Sequence, residues 1–160
     1  MALGFMLWAL GFRLNLGFRL YLGLNLTMEK LEHIGIAVKS LNDSIPVFEA
    51  LLNTNCYKEE QVVSEAVRTA FFSVGNQKIE LLESTDPDGI IARFIEKKGE
   101  GMHHIAFAVK DIESEIKRLV DAGFAVLNEK PRPGADNKLV CFLHPKNTNG
   151  VLIELCMDKP

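Results

Sequence analysis

Gly101-Met102-His103-His104-Ile105-Ala106-Phe107-Ala108-Val109-Lys110 has an earlier partner in the same chain, Glu32-His33-Ile34-Gly35-Ile36-Ala37-Val38-Lys39. Both read His-Ile-small-(Ile or Phe)-Ala-Val-Lys, and both run on into a helical pattern. A second pair closes the two halves: Ile79-Glu80-Leu81 and Ile153-Glu154-Leu155. Each half therefore begins with a histidine on an apolar strand and ends with a glutamate on another. Alternation over Leu31 to Val38 puts His33, Gly35 and Ala37 on one face and Ile34, Ile36 and Val38 on the other. His104, Ala106 and Ala108 oppose Ile105, Phe107 and Val109 in the same way. Very small residues beside each histidine leave open space in front of its imidazole.

The elements around these strands repeat as well. After the first strand, Asn42-Asp43-Ser44 supplies helix-cap chemistry with Pro46 in the first turn, and Ile45, Phe48, Leu51 and Leu52 form the buried stripe. Extended segments follow at Gln61 to Val63, Val67 to Val74 and Gln77 to Leu82, the last two joined by a hairpin turn at Gly75-Asn76. A connector over residues 86–101 carries a helical stripe of Ile90, Ile91, Phe94 and Ile95, closed by Lys97-Lys98-Gly99. The second half has a helix striped by Ile112, Ile116, Leu119 and Val120. Extended segments are expected at Phe124 to Asn128, Leu139 to Leu143 and Val151 to Met157, with loops at Pro131 to Gly134 and His144 to Asn147. The result is an α+β chain of two tandem βαβββ modules, about residues 28–85 and 102–160, forming one domain.

A length of 160 residues, 48% hydrophobic and 24% charged, is that of a single globular domain with a sizeable core. A net charge of −3 provides no basic field for nucleic acid. The three cysteines, Cys56, Cys141 and Cys156, are too scattered for a disulfide framework and read as small buried hydrophobes in a reducing compartment. That compartment is expected to be the cytoplasm, or the mitochondrial matrix for a eukaryotic source. Residues 1–27 stand apart: Arg13 and Arg19 interrupt an apolar run rich in leucine and glycine, which suits neither a secretory signal nor a membrane helix. They read as a non-native or disordered extension outside the fold, with Met28 as the natural start, and no membrane partner is expected.

A carboxylate on a buried strand face is costly unless something pairs with it. Glu80 and Glu154 each sit between apolar neighbours, so each calls for a partner, and the duplication supplies one. Two βαβββ units packed about a pseudo-twofold axis bring equivalent faces together, so that His33, Glu80, His104 and Glu154 meet. Two imidazoles and two carboxylates suit a divalent first-row ion such as Co, Ni, Zn or Mn, at about 2.0–2.2 Å. Taken singly, a strand histidine is more often a hydrogen-bonded core residue and a strand glutamate a solvated one; the matched doubling is what favours ligands. His103 fails that test, because its counterpart is Glu32 and its parity points it elsewhere. His144, before Pro145, reads as a turn residue.

The paired His-Ile starts, the βαβββ duplication and the closing Ile-Glu-Leu strands resemble the vicinal oxygen chelate superfamily. Within it, Gly99-Glu100-Gly101-Met102-His103-His104-Ile105-Ala106 resembles the methylmalonyl-CoA epimerase family, as does Phe142-Leu143-His144-Pro145-Lys146 with Gly150-Val151-Leu152-Ile153-Glu154-Leu155. The resemblance spans residues 28–157. It implies a U-shaped mixed sheet around one metal, usually in a homodimer, with metal positions falling on His33, Glu80, His104 and Glu154. Cobalt is the ion expected first, with Zn, Ni or Mn as alternatives. The implied substrate is an acyl-CoA, and the implied reaction interconverts (R)- and (S)-methylmalonyl-CoA through a metal-stabilised enolate. Inversion needs two acid–base groups flanking C2. By analogy Glu154 is one. Some family members carry a glutamate where Thr69 aligns here; Glu65 is the nearest carboxylate and the candidate for the second group, with an exposed loop acid as its alternative. Arg132, Lys138 and Lys146 are basic candidates for the nucleotide, each read as a solvated charge. Glyoxalase I shares the implied shell, an extradiol dioxygenase would leave Glu80 unexplained, and a metal-free ligand-sequestering module would not need four ligands.

Overall fold

The structure, a computed structural model, describes residues 28–160; the expectation for residues 1–27 lies outside them. In chain order the elements are β1 (Lys30–Ala37), α1 (Leu41–Leu52), β2 (Lys58–Val62), β3 (Val67–Val74), β4 (Gln77–Ser84), α2 (Ile90–Lys98), β5 (Gly101–Ala108), α3 (Ile112–Asp121), β6 (Arg132–Pro133), β7 (Lys138–Leu143) and β8 (Ile153–Asp158). All eight strands form one mixed sheet in the order β2-β3-β4-β1-β5-β8-β7-β6. The order reads the same from either edge once each strand is replaced by its repeat. β1 and β5 pair antiparallel at the centre, and each pairs in parallel with the last strand of its own module. The sheet curls far enough for its edges to touch: Lys58 of β2 donates to Asp136 in the β6–β7 turn at 3.0 Å, and Glu65, just after β2, pairs with Arg132 of β6. The α+β fold of two βαβββ modules is the one expected.

Two apolar clusters cover the convex side, one per module. Val38, Leu41, Ala70, Phe72 and Leu81 pack with Ile45, Phe48 and Leu52 of α1; Val109, Ile112, Ile116, Leu119, Cys141, Leu143 and Leu155 pack under α3. A third cluster of Ala37, Val67, Leu82 and Ile91 seats α2. Replacing Leu119 by Ala, which empties a fully packed site under α3, is expected to cost about 2–5 kcal/mol in chemical denaturation. A loss under about 1 kcal/mol would mean α3 is not anchored there. Among the described residues no helix is long and apolar enough to cross a membrane. All three cysteines are free, Cys141 and Cys156 buried and Cys56 half-buried.

Several local expectations need correction. α1 is capped by Ser40, whose side chain accepts from Asp43 N at 3.2 Å, rather than by Asn42-Asp43-Ser44. Pro46 therefore lies inside the helix, beyond its first turn. Leu51 is 71% exposed, because the buried stripe runs Leu41, Ile45, Phe48, Leu52 and Leu51 falls a quarter turn away. Val120 and Ile90 are exposed for the same geometric reason. Phe124 to Asn128 is not a strand: Val126 alone bridges Leu143, and the Asn128 side chain bonds the carbonyl of Lys130, turning the chain away.

Candidate metal centre

The concave face is organised by register. On the central pair His33 lies opposite Ala106 and His104 opposite Gly35. In the parallel pairs Glu80 lies beside Gly35 and Glu154 beside Ala106. Each row thus runs histidine, small residue, glutamate, with the small residue keeping the row open between its two polar ends. The space over Gly35 does not stand in front of its own module's imidazole, as expected from the sequence. It is filled by His104 of the other module: a Cβ built on Gly35 would lie 2.2 Å from the His104 Cε1.

The structure brings the four singled-out side chains together, all of them buried. The Nε2 atoms of His33 and His104 are 3.0 Å apart. Glu80 Oε2 lies 3.3 Å from His33 Nε2 and 3.7 Å from His104 Nε2. Glu154 reaches them at 4.0 Å through Oε1 and 3.3 Å through Oε2, respectively. His33, His104 and Glu154 offer ligand atoms within 4.8 Å of one another. Around them opens a cavity of about 150 Å³ walled by Val67, Leu82, Ile90, Leu127 and Phe142, among others.

Without a cation the cluster is electrostatically unbalanced. Burial pulls the His33 pKa down, but hydrogen bonds to Glu32 and Glu80 and the charges of Glu80 and Glu154 overcome it and lift it to about 10. Burial pushes Glu154 up to about 8, with the His33 charge opposing and the Glu80 and Glu32 charges adding. Burial, then the positive charge of His33, holds His104 well below its ordinary value. A divalent cation held by this cluster would compete with the protons on His33 and Glu154. The donor set fits a divalent first-row ion, which needs neutral imidazoles and ionised carboxylates.

A pH dependence follows. In chelator-treated protein His33 and Glu154 hold protons that the unfolded chain would have released at lower pH. Their contribution to stability is complete below the unfolded values of 6.5 and 4.5, and is lost as pH rises through about 8 for Glu154 and about 10 for His33. The Tm of metal-free protein is therefore expected to fall between about pH 7 and pH 8.5, and the Tm gained on adding Co(II) to grow across the same window. A Tm gain that shrinks with rising pH would show that ions and protons do not compete for these groups.

Two residues the sequence reading set aside belong to the site. The β1–β5 register slips between Leu31 and His33 and again between Gly35 and Ile36. The first slip places an extra residue, Glu32, in β1; the second places His103 in β5. Each bulge reverses the parity of the residue just before a clustered histidine. Glu32 is consequently buried and hydrogen-bonded to His33 Nδ1, while His103 Nδ1 lies 3.0 Å from His104 Nδ1. Burial works against the charge on Glu32, but hydrogen bonds to His33 and Lys78 dominate and lower its pKa to about 2. Burial, then Lys98, pushes His103 down to about 4. Their matched positions in the repeat were a visible signal; strict alternation hid its meaning.

The remaining candidates are placed as follows. Glu65, in a 3-10 turn over Val63–Glu65, is no exposed loop acid: it lines the cavity and is tied to Arg132. Arg132 also lies 5.7 Å from the Phe142 ring centre, so it is not merely solvated. Lys138 is largely buried and bonds Asp158 at 2.6 Å, which corrects its reading too. Thr69 is buried in the cavity wall. His144 caps a 3-10 turn by accepting from Lys146 N, the turn role expected for it.

Residues 32–142 match the Glyoxalase/Bleomycin resistance protein/Dioxygenase superfamily. The uncharacterised Bacillus subtilis protein YqjC is 40% identical over 132 residues, covering 82% of this chain and 94% of that one. The ethylmalonyl-CoA/methylmalonyl-CoA epimerase of Cereibacter sphaeroides is 38% identical over 128 residues, 79% of this chain and 96% of the relative. Among solved structures, a variant of the Streptomyces coelicolor methylmalonyl-CoA epimerase in complex with 2-nitronate-propionyl-CoA superposes with a TM-score of 0.79 at 32% identity, over 82% of this chain and 96% of that one. The chain belongs to the Glyoxalase/Bleomycin resistance protein/Dioxygenase superfamily and is related within it to methylmalonyl-CoA epimerases.

Proposed function

We propose that this chain, an isomerase, interconverts (R)- and (S)-methylmalonyl-CoA by taking the α-proton from one face of C2 and returning one to the other. The observation that carries the proposal is the buried His33/Glu80/His104/Glu154 cluster at the base of the cavity, in a chain with epimerase relatives. His33, Glu80, His104 and Glu154 would hold a divalent ion, cobalt first. When bound, such an ion supplies Lewis acidity that draws off negative charge as the α-proton leaves, an effect worth several kcal/mol.

The chain's own groups do the proton work. To Glu154, a buried carboxylate 4.0 and 3.3 Å from the Nε2 atoms of His33 and His104, is assigned the proton taken from and returned to one face of C2. Glu65 is assigned the other face of C2, where Arg132 fixes its carboxylate. The apolar wall of Val67, Leu82 and Ile90 suits the substrate methyl and keeps bulk water from the reacting carbon. A homodimer in a reducing compartment belongs to the same proposal, and light scattering on the purified chain tests the dimer.

The deciding experiment is deuterium entry at C2 of methylmalonyl-CoA in heavy water, with untreated, chelator-treated and Co(II)-reloaded protein. Exchange should vanish on chelation and return on reloading. Full exchange after complete removal of divalent ions would end the proposal, as would turnover of a glutathione hemithioacetal in its place.

A further inference from the structure

The two bulges place a hydrogen-bonding group behind each clustered histidine, but not the same group. His33 and His104 both turn Nε2 toward the cluster, 3.0 Å from each other. For those atoms to be free as donors of electron pairs, each ring must carry its proton on Nδ1. Behind His33 that N–H donates to the buried carboxylate of Glu32. Behind His104 it donates to Nδ1 of His103 at 3.0 Å, which leaves the His103 proton on its Nε2. Glu32 is itself fixed from behind by Lys78 Nζ at 2.5 Å, and Lys78 by Asp136 at 2.6 Å. Asp136 sits in the β6–β7 turn of the other module and also accepts from Lys58. His103 is packed edge-on against Phe94 of α2, with ring centres 4.9 Å apart.

We propose that Glu32 and His103 are positioning residues, each locking the tautomer and ring orientation of the histidine that follows it. The carboxylate makes His33 the stronger electron donor of the two, and the neutral imidazole leaves His104 the weaker. The Glu32–Lys78–Asp136 chain ties the stronger half to the seam where the sheet edges meet. Neither residue touches substrate in this scheme. Both act through the imidazole they support, which is how outer groups of this kind govern affinity at metal sites. The inference rests on the divalent-ion reading of the cluster.

The test measures Co(II) binding, by titration and by its visible absorption, on the full chain and four variants: Glu32→Gln, Glu32→Asp, His103→Gln and His103→Phe. Glu32→Gln should weaken Co(II) binding about 10–100-fold and alter the absorption bands. Glu32→Asp should recover part of that loss. His103→Gln, whose amide oxygen still accepts from His104 Nδ1, should bind within about threefold of the parent, and His103→Phe at least about tenfold more weakly. Circular dichroism of the metal-free variants separates loss of binding from loss of fold, since a positioning role leaves the metal-free fold intact. Parent protein that binds Co(II) while Glu32→Gln and His103→Phe bind it equally well overturns the positioning inference alone. Parent protein that binds no Co(II) overturns the cluster reading and this inference with it.

Discussion

Glu154→Gln is expected to lower deuterium exchange at C2 by about a thousandfold or more, mainly through kcat, while leaving the fold in place. The amide keeps the size of the carboxylate and one oxygen acceptor, so it can still face the two Nε2 atoms that Glu154 approaches at 4.0 and 3.3 Å. It cannot carry a proton to and from carbon. Nor should the substitution unfold the metal-free chain near pH 7, because the Glu154 pKa of about 8 means the native side chain is already largely neutral there. Glu80→Gln is the informative comparison. Glu80 approaches the same pair of nitrogens at 3.3 and 3.7 Å, yet no proton transfer is assigned to it. Its amide oxygen can still serve as a ligand, so the loss should fall on ion affinity and, once Co(II) is saturating, kcat should return to within about tenfold of the parent. Equal kcat losses for the two variants at saturating Co(II) would remove the proton-handling role from Glu154.

Much of this was legible in the residues because the chain states its plan twice. The repeated His-Ile-small-x-Ala-Val run and the paired Ile-Glu-Leu strands define which faces converge, and β1, β4, β5 and β8 place His33, Glu80, His104 and Glu154 on one concave surface as that logic requires. What alternation cannot contain is a change of phase. Strict alternation turns Glu32 and His103 away from the clustered histidines, but a single extra residue in each central strand inverts the parity, and nothing in the local composition marks a bulge. Helix stripes failed in a milder way: Leu51 and Val120 are apolar and close to the right spacing, but lie at the edge of the buried arc. The ionic seam was the least visible part. Lys58, Lys78 and Asp136 are unremarkable surface charges until the sheet curls, and only the closed edge brings them to a common point. Arg132 and Lys138 looked solvated for the same reason.

Gly35→Ala should abolish Co(II) binding at micromolar concentrations and reduce C2 exchange to background, a larger consequence than one methyl group usually has. Backbone conformation is not the reason: Gly35 adjoins the register slip before Ile36 but lies outside the set with positive φ. The obstacle is steric. The new Cβ would stand 2.2 Å from Cε1, 2.5 Å from Nδ1 and 2.7 Å from Nε2 of His104, so the ring has to leave its place or β1 and β5 have to part. The ring has little room to yield: Phe142 meets it edge-on with centres 5.7 Å apart and His103 does so at 5.3 Å. Parting the strands would break the central pairing that joins the two modules. Overpacking of this kind costs about 1–3 kcal/mol, less than a domain's stability, so the protein should fold with His104 displaced. The double variant Gly35→Ala/His104→Ala separates the two costs. Removing the ring relieves the clash, so its Tm should exceed that of Gly35→Ala alone while binding remains lost, a positive coupling expected only of groups in contact. A Gly35→Ala protein that binds Co(II) like the parent would place the His104 ring elsewhere, and with it the convergence of the two modules on a single ion.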